Sequence, residues 1–294
     1  MEFKELELQD RGVFNEFLSQ DPPRTSELTF TNLFMWRLRY KPVWSTWDDC
    51  LLICIQGDDG KRFGLPPVGP GNKDRALSLL LSELKRQSPE QPRVCRAGKD
   101  FVDSYVDDSV HQITEDRDNS DYVYLAENLI KLPGNKFHRK KNHLNRFLKH
   151  YDFAYRDLDQ IAPEAFLELQ EDWCELRSCV ENSSLFHEDR AIYEALTNYR
   201  ILAFKGGAIL IDSKVEAFAL GEMLNHDTAV IHVEKANPDI PGLYTAINQQ
   251  FCQSTWSHAK YVNREQDLGV EGLRKAKLSY YPDHLVEKFT IALK

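Results

Sequence analysis

Apolar positions in this chain follow two periods, alternation and a helical three-to-four spacing, and the switches between them give an order of elements that occurs twice. In the first half, strand 3–8 precedes helices at 11–20 and 26–40, then strands at 43–49, 50–57 and 61–68. A helix at 75–87, a strand at 92–98, a short helix at 100–108 and strands at 110–118 and 122–130 complete it. The second half opens with strand 153–158, helices 163–178 and 187–199, and strands 201–207, 208–213, 214–224 and 227–236. It closes with helix 242–259, strand 261–268, helix 269–282 and strand 285–293. This repeat of order without repeat of sequence predicts an α/β (α+β) protein of two alike domains, each a mixed, mostly antiparallel sheet flanked by helices. The expected division is 1–125, a bridging segment 126–150, and 151–294, with the polar run 114–122 as the hinge candidate.

Residues 131–150 hold five Lys, two Arg and three His without one Asp or Glu. The chain carries −9 in total, so removing this +7 leaves −16 elsewhere. After the turn at Pro133-Gly134 the segment runs at helical spacing. At about 100° per residue, Phe137, Leu144, Leu148 and Tyr151 form one stripe, and Arg139, His143, Arg146 and His150 fall opposite. Lys140 and Lys141 flank the stripe, about 60° and 40° from Phe137. Either their stems snorkel over apolar surface, or the ammonium groups enclose an anion.

With 294 residues, 42% of them hydrophobic, the chain has material for two cores. The absence of a signal-like start and of a long apolar run points to a cytoplasmic protein without a transmembrane segment. The six cysteines show no CxxC spacing and read as reduced core thiols, and the nine histidines form no metal-ligand grouping, so no metal is expected. An acidic total charge disfavours non-specific duplex binding while leaving room for a local cationic patch.

The order of elements resembles the GNAT acyltransferase fold in tandem. The segments SELTFTNLFMW, YLAENLIKLPGNKFHRKKNHLNRF, VEKANPDIPGLYTAINQQF and NREQDLGVEGLRKAKLSYYP resemble an uncharacterised bacterial family related to the C-terminal domain of phosphatidylglycerol lysyltransferase, with the Fem peptidyltransferases as more distant kin. The resemblance spans nearly the whole chain. It implies acyl transfer, from aminoacyl-tRNA as in those relatives or from acyl-coenzyme A as in most of the fold, with no permanently bound cofactor.

Coenzyme A users of this fold carry Arg/Gln-x-x-Gly-x-Gly/Ala after the fourth strand, where amides and a helix N-terminus take the pyrophosphate. Here the turn is Asn237 to Tyr244; Gly242 survives, but Asp239 repels phosphate and Pro241 lacks an N–H, which weakens the acyl-coenzyme A reading. The first-half turn 67–74, with Gly69, Gly71 and Lys73, is the better cradle by composition, although such clusters are mostly turns. His232 and Glu234 alternate onto one strand face, so Glu234 is the first candidate to take the acceptor's proton, with Glu222 its rival and a polar sheet face the bland reading. Lys277, near Tyr280 and Tyr281, is the candidate to orient a donor phosphate or hold an oxyanion. Asp267 reads equally as a helix cap. The expected catalytic residues are thus Glu234 and Lys277. The expected binding residues are Lys136, Arg139, Lys140, Lys141, Arg146, Lys235, Gly242, Tyr244, Asn263, Asp267, Lys275 and Tyr280.

Two functions follow. One is an acyltransferase, with tRNA on the basic helix and a small-molecule, peptide or lipid-headgroup acceptor bearing an amine or hydroxyl. The other is a non-catalytic module for a phosphorylated or nucleic-acid ligand. An acid and a cation facing one another across a strand splay favour the enzyme. The sequence does not fix the oligomeric state.

Overall fold

The computed structural model describes residues 1–57, 59–87, 90–177 and 183–294. Its elements begin with β1 Lys4–Glu5, α1 Arg11–Gln20, α2 Phe30–Met35, α3 Arg37–Tyr40, β2 Val43–Trp47, β3 Cys50–Gln56, β4 Arg62–Gly64, α4 Lys73–Gln87, β5 Arg93–Gly98, α5 Lys99–Tyr105 and β6 His111–Glu115. They continue with β7 Asp121–Leu125, α6 Ala126–Lys131, α7 His138–His150, β8 Ala154–Asp157, α8 Pro163–Arg177, α9 Ser183–Thr197 and α10 Tyr199–Leu202. The last are β9 Lys205–Ile211, β10 Lys214–Met223, β11 Thr228–Ala236, α11 Leu243–Thr255, β12 Tyr261–Asn263, α12 Glu271–Leu278, β13 His284–Val286 and β14 Lys288–Leu293.

Two seven-stranded mixed sheets result, ordered β1-β2-β3-β4-β5-β14-β6 and β13-β7-β12-β11-β10-β9-β8. Taken from its other edge, the second repeats the first, and in each the sixth place belongs to a strand from the other half of the chain. The expected strand 285–293 therefore breaks at Glu287, with β13 in the second sheet and β14 in the first. Lys288 gives the reason. Its buried ammonium meets both oxygens of Glu27 at 2.8 and 2.7 Å and Oδ1 of Asp121 at 2.6 Å, all within the first unit. The Ser26 amide and hydroxyl donate to the same Asp121 carboxylate.

The compact units are accordingly discontinuous: Met1–Asp121 with Gln266–Val270 and Leu285–Lys294, and Tyr122–Glu265 with Glu271–His284. This differs from the division at 125 and 150, because β7 and β14 each pair away from their own half. The basic segment is no bridge but part of the second unit, where α7 packs on α11. In the first unit, Leu77, Leu80, Leu81 and Leu84 of α4 close over Leu52, Cys54 and Val94 of the sheet, the burial that amphipathic spacing predicts.

The stripe on the basic helix also shifts. Phe137 ends a tight 3-10 turn before α7, so a helical phase counted from it is wrong. Leu144 and Phe147 are the buried pair, while Leu148 is exposed. Cys50, Cys54, Cys95 and Cys252 are free and buried. Cys174 departs from the expected reduced state, being disulfide-bonded, and Cys179 lies outside the described residues.

Candidate active site in the second unit

Strands β11 and β12 pair in parallel only from Thr228↔Tyr261 to Val230↔Asn263. Beyond that pairing β11 runs on to Ala236, and two side chains meet across the divergence. Arg264, the residue after β12, donates from Nε and Nη2 to Oε2 of Glu234, the former at 3.0 Å, while Asn248 Nδ2 of α11 donates to Oε1 at 2.7 Å. Both partners are mostly covered, with side chains 15% and 13% exposed. Burial opposes the guanidinium's charge, but Glu234 outweighs it and the Arg264 pKa rises.

Aromatic rings and two lysines complete the cluster. The Arg264 guanidinium lies 4.7 Å from the centroid of Tyr280 and 5.7 Å from that of Tyr124. Tyr124 on β7 donates to the Lys277 carbonyl at 2.9 Å, and Lys277 Nζ in turn donates to the Arg264 carbonyl, so the end of α12 is fastened to the segment that carries Arg264. Lys140, on the same line of α7 as Leu144 and Phe147, places its half-buried ammonium 3.9 Å from the Tyr280 ring centroid. Burial, then Arg264 and Arg139, lower its pKa to about 8 against the opposing pull of Glu234.

A second polar group stands beside this one. His232 Nδ1 lies 2.8 Å from Glu265 Oε1 and Nε2 lies 3.0 Å from Glu222 Oε1. Burial pushes the imidazole down, yet hydrogen bonds and charge from Glu222 and Glu265 outweigh it and raise the pKa to about 9. The rival base Glu222 is thereby committed to an imidazolium. The bond from Glu265 also ties the turn after β12 to β11, next to Arg264.

Of the expected residues, Glu234, Lys277, Lys140 and Tyr280 come together. Lys235 does not join them. Adjacent strand residues point oppositely, and its ammonium sits 3.5 Å from the Trp173 ring centroid and 2.8 Å from Glu188 Oε2. Tyr244 belongs to that other face, its hydroxyl accepting from Trp173 Nε1 at 3.1 Å. Asn263 Oδ1 accepts from the Glu265 amide at 2.7 Å and shapes the turn. Asp267 lies buried in the first unit and accepts from the Gly269 amide at 2.9 Å. Lys275 forms a surface pair with Glu271. Lys136, Arg139, Lys141 and Arg146 are exposed, so the paired role expected of Lys140 and Lys141 separates, one facing the cluster and the other solvent. Arg264 and Asn248, central here, escaped the sequence reading: Arg264 was one cation among several in its run, and nothing local marks Asn248.

Of the two candidate pyrophosphate turns, the one in the second unit is packed against α7 and the one in the first is filled by an acid. A Cβ on Gly242 would lie 2.3 Å from the His143 carbonyl oxygen of α7, and its φ of +89° is open to glycine at little cost. In the first unit, the Gly69 amide donates to Asp21 Oδ2 at 2.9 Å and Lys73 Nζ meets the same oxygen at 2.6 Å, so an acid fills that cradle. Among the described residues no cluster of His, Cys, Asp and Glu suits a metal, and no helix is long and apolar enough to cross a membrane.

Comparison with known proteins agrees with this architecture. A conserved protein of unknown function from Bacteroides thetaiotaomicron superposes with a TM-score of 0.90 at 34% identity over 99% of both chains. The structure of L-PGS from Bacillus licheniformis shares the fold, with a TM-score of 0.67 at 11% identity over 97% of this chain and 92% of that one. A tandem GNAT protein from the clavulanic acid biosynthesis pathway aligns over 100% of this chain and 98% of its own, with 12% identity and a TM-score of 0.50, so the two sheets are GNAT-like domains in tandem. An uncharacterised protein of Mycoplasmoides gallisepticum is 22% identical over 179 residues, and the match spans only 56% of that protein's length. The family model described as phosphatidylglycerol lysyltransferase, C-terminal, matches residues 20–292, and the chain belongs to that family.

Proposed function

We propose that this protein is an acyltransferase that takes an aminoacyl group from charged tRNA and passes it to an amine or hydroxyl acceptor. The observation that carries the donor is the outer face of α7. Arg139, Lys141, Arg146 and Lys149 are exposed there, and among the described residues none has an acidic partner. A row of unneutralised cations on a docked helix suits a phosphate backbone, whose binding releases counterions. The acid in the first-unit turn and the packing of α7 on Gly242 count against coenzyme A in those places. The family name, with its lysyl transfer to phosphatidylglycerol, points the same way.

In this reading the Glu234–Arg264 pair across the divergence of β11 and β12 marks the acyl site, and it favours an enzyme over a passive module. A carboxylate has about four lone-pair sites. Asn248 and the two Arg264 donors leave Glu234 capacity to take the acceptor's proton as it attacks the ester carbonyl. No covalent enzyme intermediate is required, because positioning of two bound reactants supplies much of the rate. Lys277, turned onto the Arg264 carbonyl, positions that arginine.

Filter binding of mixed aminoacyl-tRNA across a salt series tests the donor. Wild type should bind with steep salt dependence, and Arg139→Ala/Lys141→Ala/Arg146→Ala should flatten the log–log slope by about 2 to 3. Absence of binding at low salt, or an unchanged slope in the triple variant, would refute a tRNA donor on α7.

A further inference from the structure

The second unit leaves cationic capacity unused beside its acid. Glu234 acts on the charges of both Lys140 and Arg264. It is already held by Arg264 Nε and Nη2 and by Asn248. Arg264 Nη1 is buried with no hydrogen-bond partner among the described residues. Lys140 forms no hydrogen bond or ion pair among the described residues; its contact is with the Tyr280 ring, at 3.9 Å, which Arg264 shares at 4.7 Å. Two cations on one ring repel, and a buried N–H without a partner is costly. A cluster built this way lacks one anionic oxygen.

We infer that Lys140 Nζ and Arg264 Nη1 form an oxyanion seat, where the carbonyl oxygen of the transferred acyl group gains its negative charge. The inference rests on the acyl-transfer reading and adds a role that the exposed cations of α7 do not have. In the step, the acceptor nitrogen or oxygen bonds to the ester carbonyl carbon, and the carbonyl π pair moves onto its oxygen between Lys140 and Arg264. As that pair returns, the bond to the ribose oxygen breaks. The proton shed by the acceptor passes through Glu234 to the leaving oxygen, so charge and atoms balance. Fixed donors aimed at the developing charge need no reorganisation during the reaction, which makes this kind of contact worth about 100- to 1000-fold in rate.

The anion's arrival should also be visible without turnover. Lys140 feels Arg139 from its own helix and Arg264, Glu234 and Tyr280 from the elements packed against it. An added anion strengthens its hold on the proton. Titration calorimetry with aminomethylphosphonate, a tetrahedral anionic mimic, in two buffers of different ionisation enthalpy at pH 8 should show binding with uptake of a fraction of a proton. Lys140→Met should lose both affinity and uptake; Lys140→Arg, permanently charged, should restore affinity without uptake. Absence of phosphonate binding, or uptake that persists in Lys140→Met, overturns the seat. The transfer reading is judged separately. If aminoacyl-tRNA is consumed and Lys140→Met leaves kcat unchanged, the seat falls and the transferase stands. If the phosphonate binds with Lys140-dependent uptake but no aminoacyl-tRNA is consumed, the donor falls and the anion seat remains. With both correct, Lys140→Met lowers kcat about 100-fold with little change in KM.

Discussion

His232 shows how a single buried side chain sets a pH dependence. Its pKa, raised to about 9 between Glu222 and Glu265, stands above the ordinary value of about 6.5. Because the folded value is the higher one, the stabilisation is complete below pH about 6.5 and disappears as pH rises through about 9; its size is about 3 kcal/mol. Urea unfolding of wild type and His232→Gln from pH 6 to 10 should give a stability gap that closes at the alkaline end. A gap independent of pH would mean the imidazole acts through packing alone. For the salt bridge across the strand divergence, Arg264→Met leaves Glu234 nearly buried beside Asn248 alone and should cost about 3 kcal/mol in the same assay. These residues were unequally legible. Strand alternation places His232 and Glu234 on one face, since a period of two needs only local sequence. Arg264 gains its partner from the point at which β12 stops pairing with β11, and no window of sequence encodes that point.

Among the elements, α7 records the difference between periodicity and docking. A helix with a cationic face was legible because acids are absent and apolar residues recur. Its phase was not, because the 3-10 turn ending at Phe137 advances the chain by a different angle from an α-turn. The consequence is measurable. Phe147 is fully buried, stacking on Tyr151 with ring centroids 5.3 Å apart, so Phe147→Ala should cost about 3 to 5 kcal/mol. Leu148, half exposed, should tolerate alanine within about 0.5 kcal/mol. Thermal unfolding of the two variants separates the phases, and the reverse ranking would return the stripe to the sequence-based one. The same docking explains Gly242. The His143 carbonyl of α7 lies against a turn whose φ is +89°, so the glycine there admits the helix where a Cβ would clash.

For the whole molecule, the repeat of element order correctly foretold two similar sheets, and the exchange of strands between halves was hidden. Residues 285–293 read as one alternating strand, because alternation reports which face a residue takes and not which sheet it joins. Burial of Lys288 with Glu27 and Asp121 decides the matter, and these partners are 261 and 167 residues away along the chain. Such contacts form only after large loops have closed. The first sheet should therefore depend on its distant strand. Lys288→Met takes the shared cation from two buried acids, leaving Glu27 with Arg96 at 3.7 Å and Asp121 with Ser26, and should cost about 3 to 5 kcal/mol; adding Glu27→Gln should recover part of that loss instead of adding to it. Hydrogen exchange locates the damage. In Lys288→Met, amides of β5 and β6, the neighbours of β14 in the first sheet, should lose protection, while β9 to β11 keep theirs. Loss confined to residues 285–294 would mean that β5 and β6 hold their order without β14, and that the first sheet assembles before its last strand arrives.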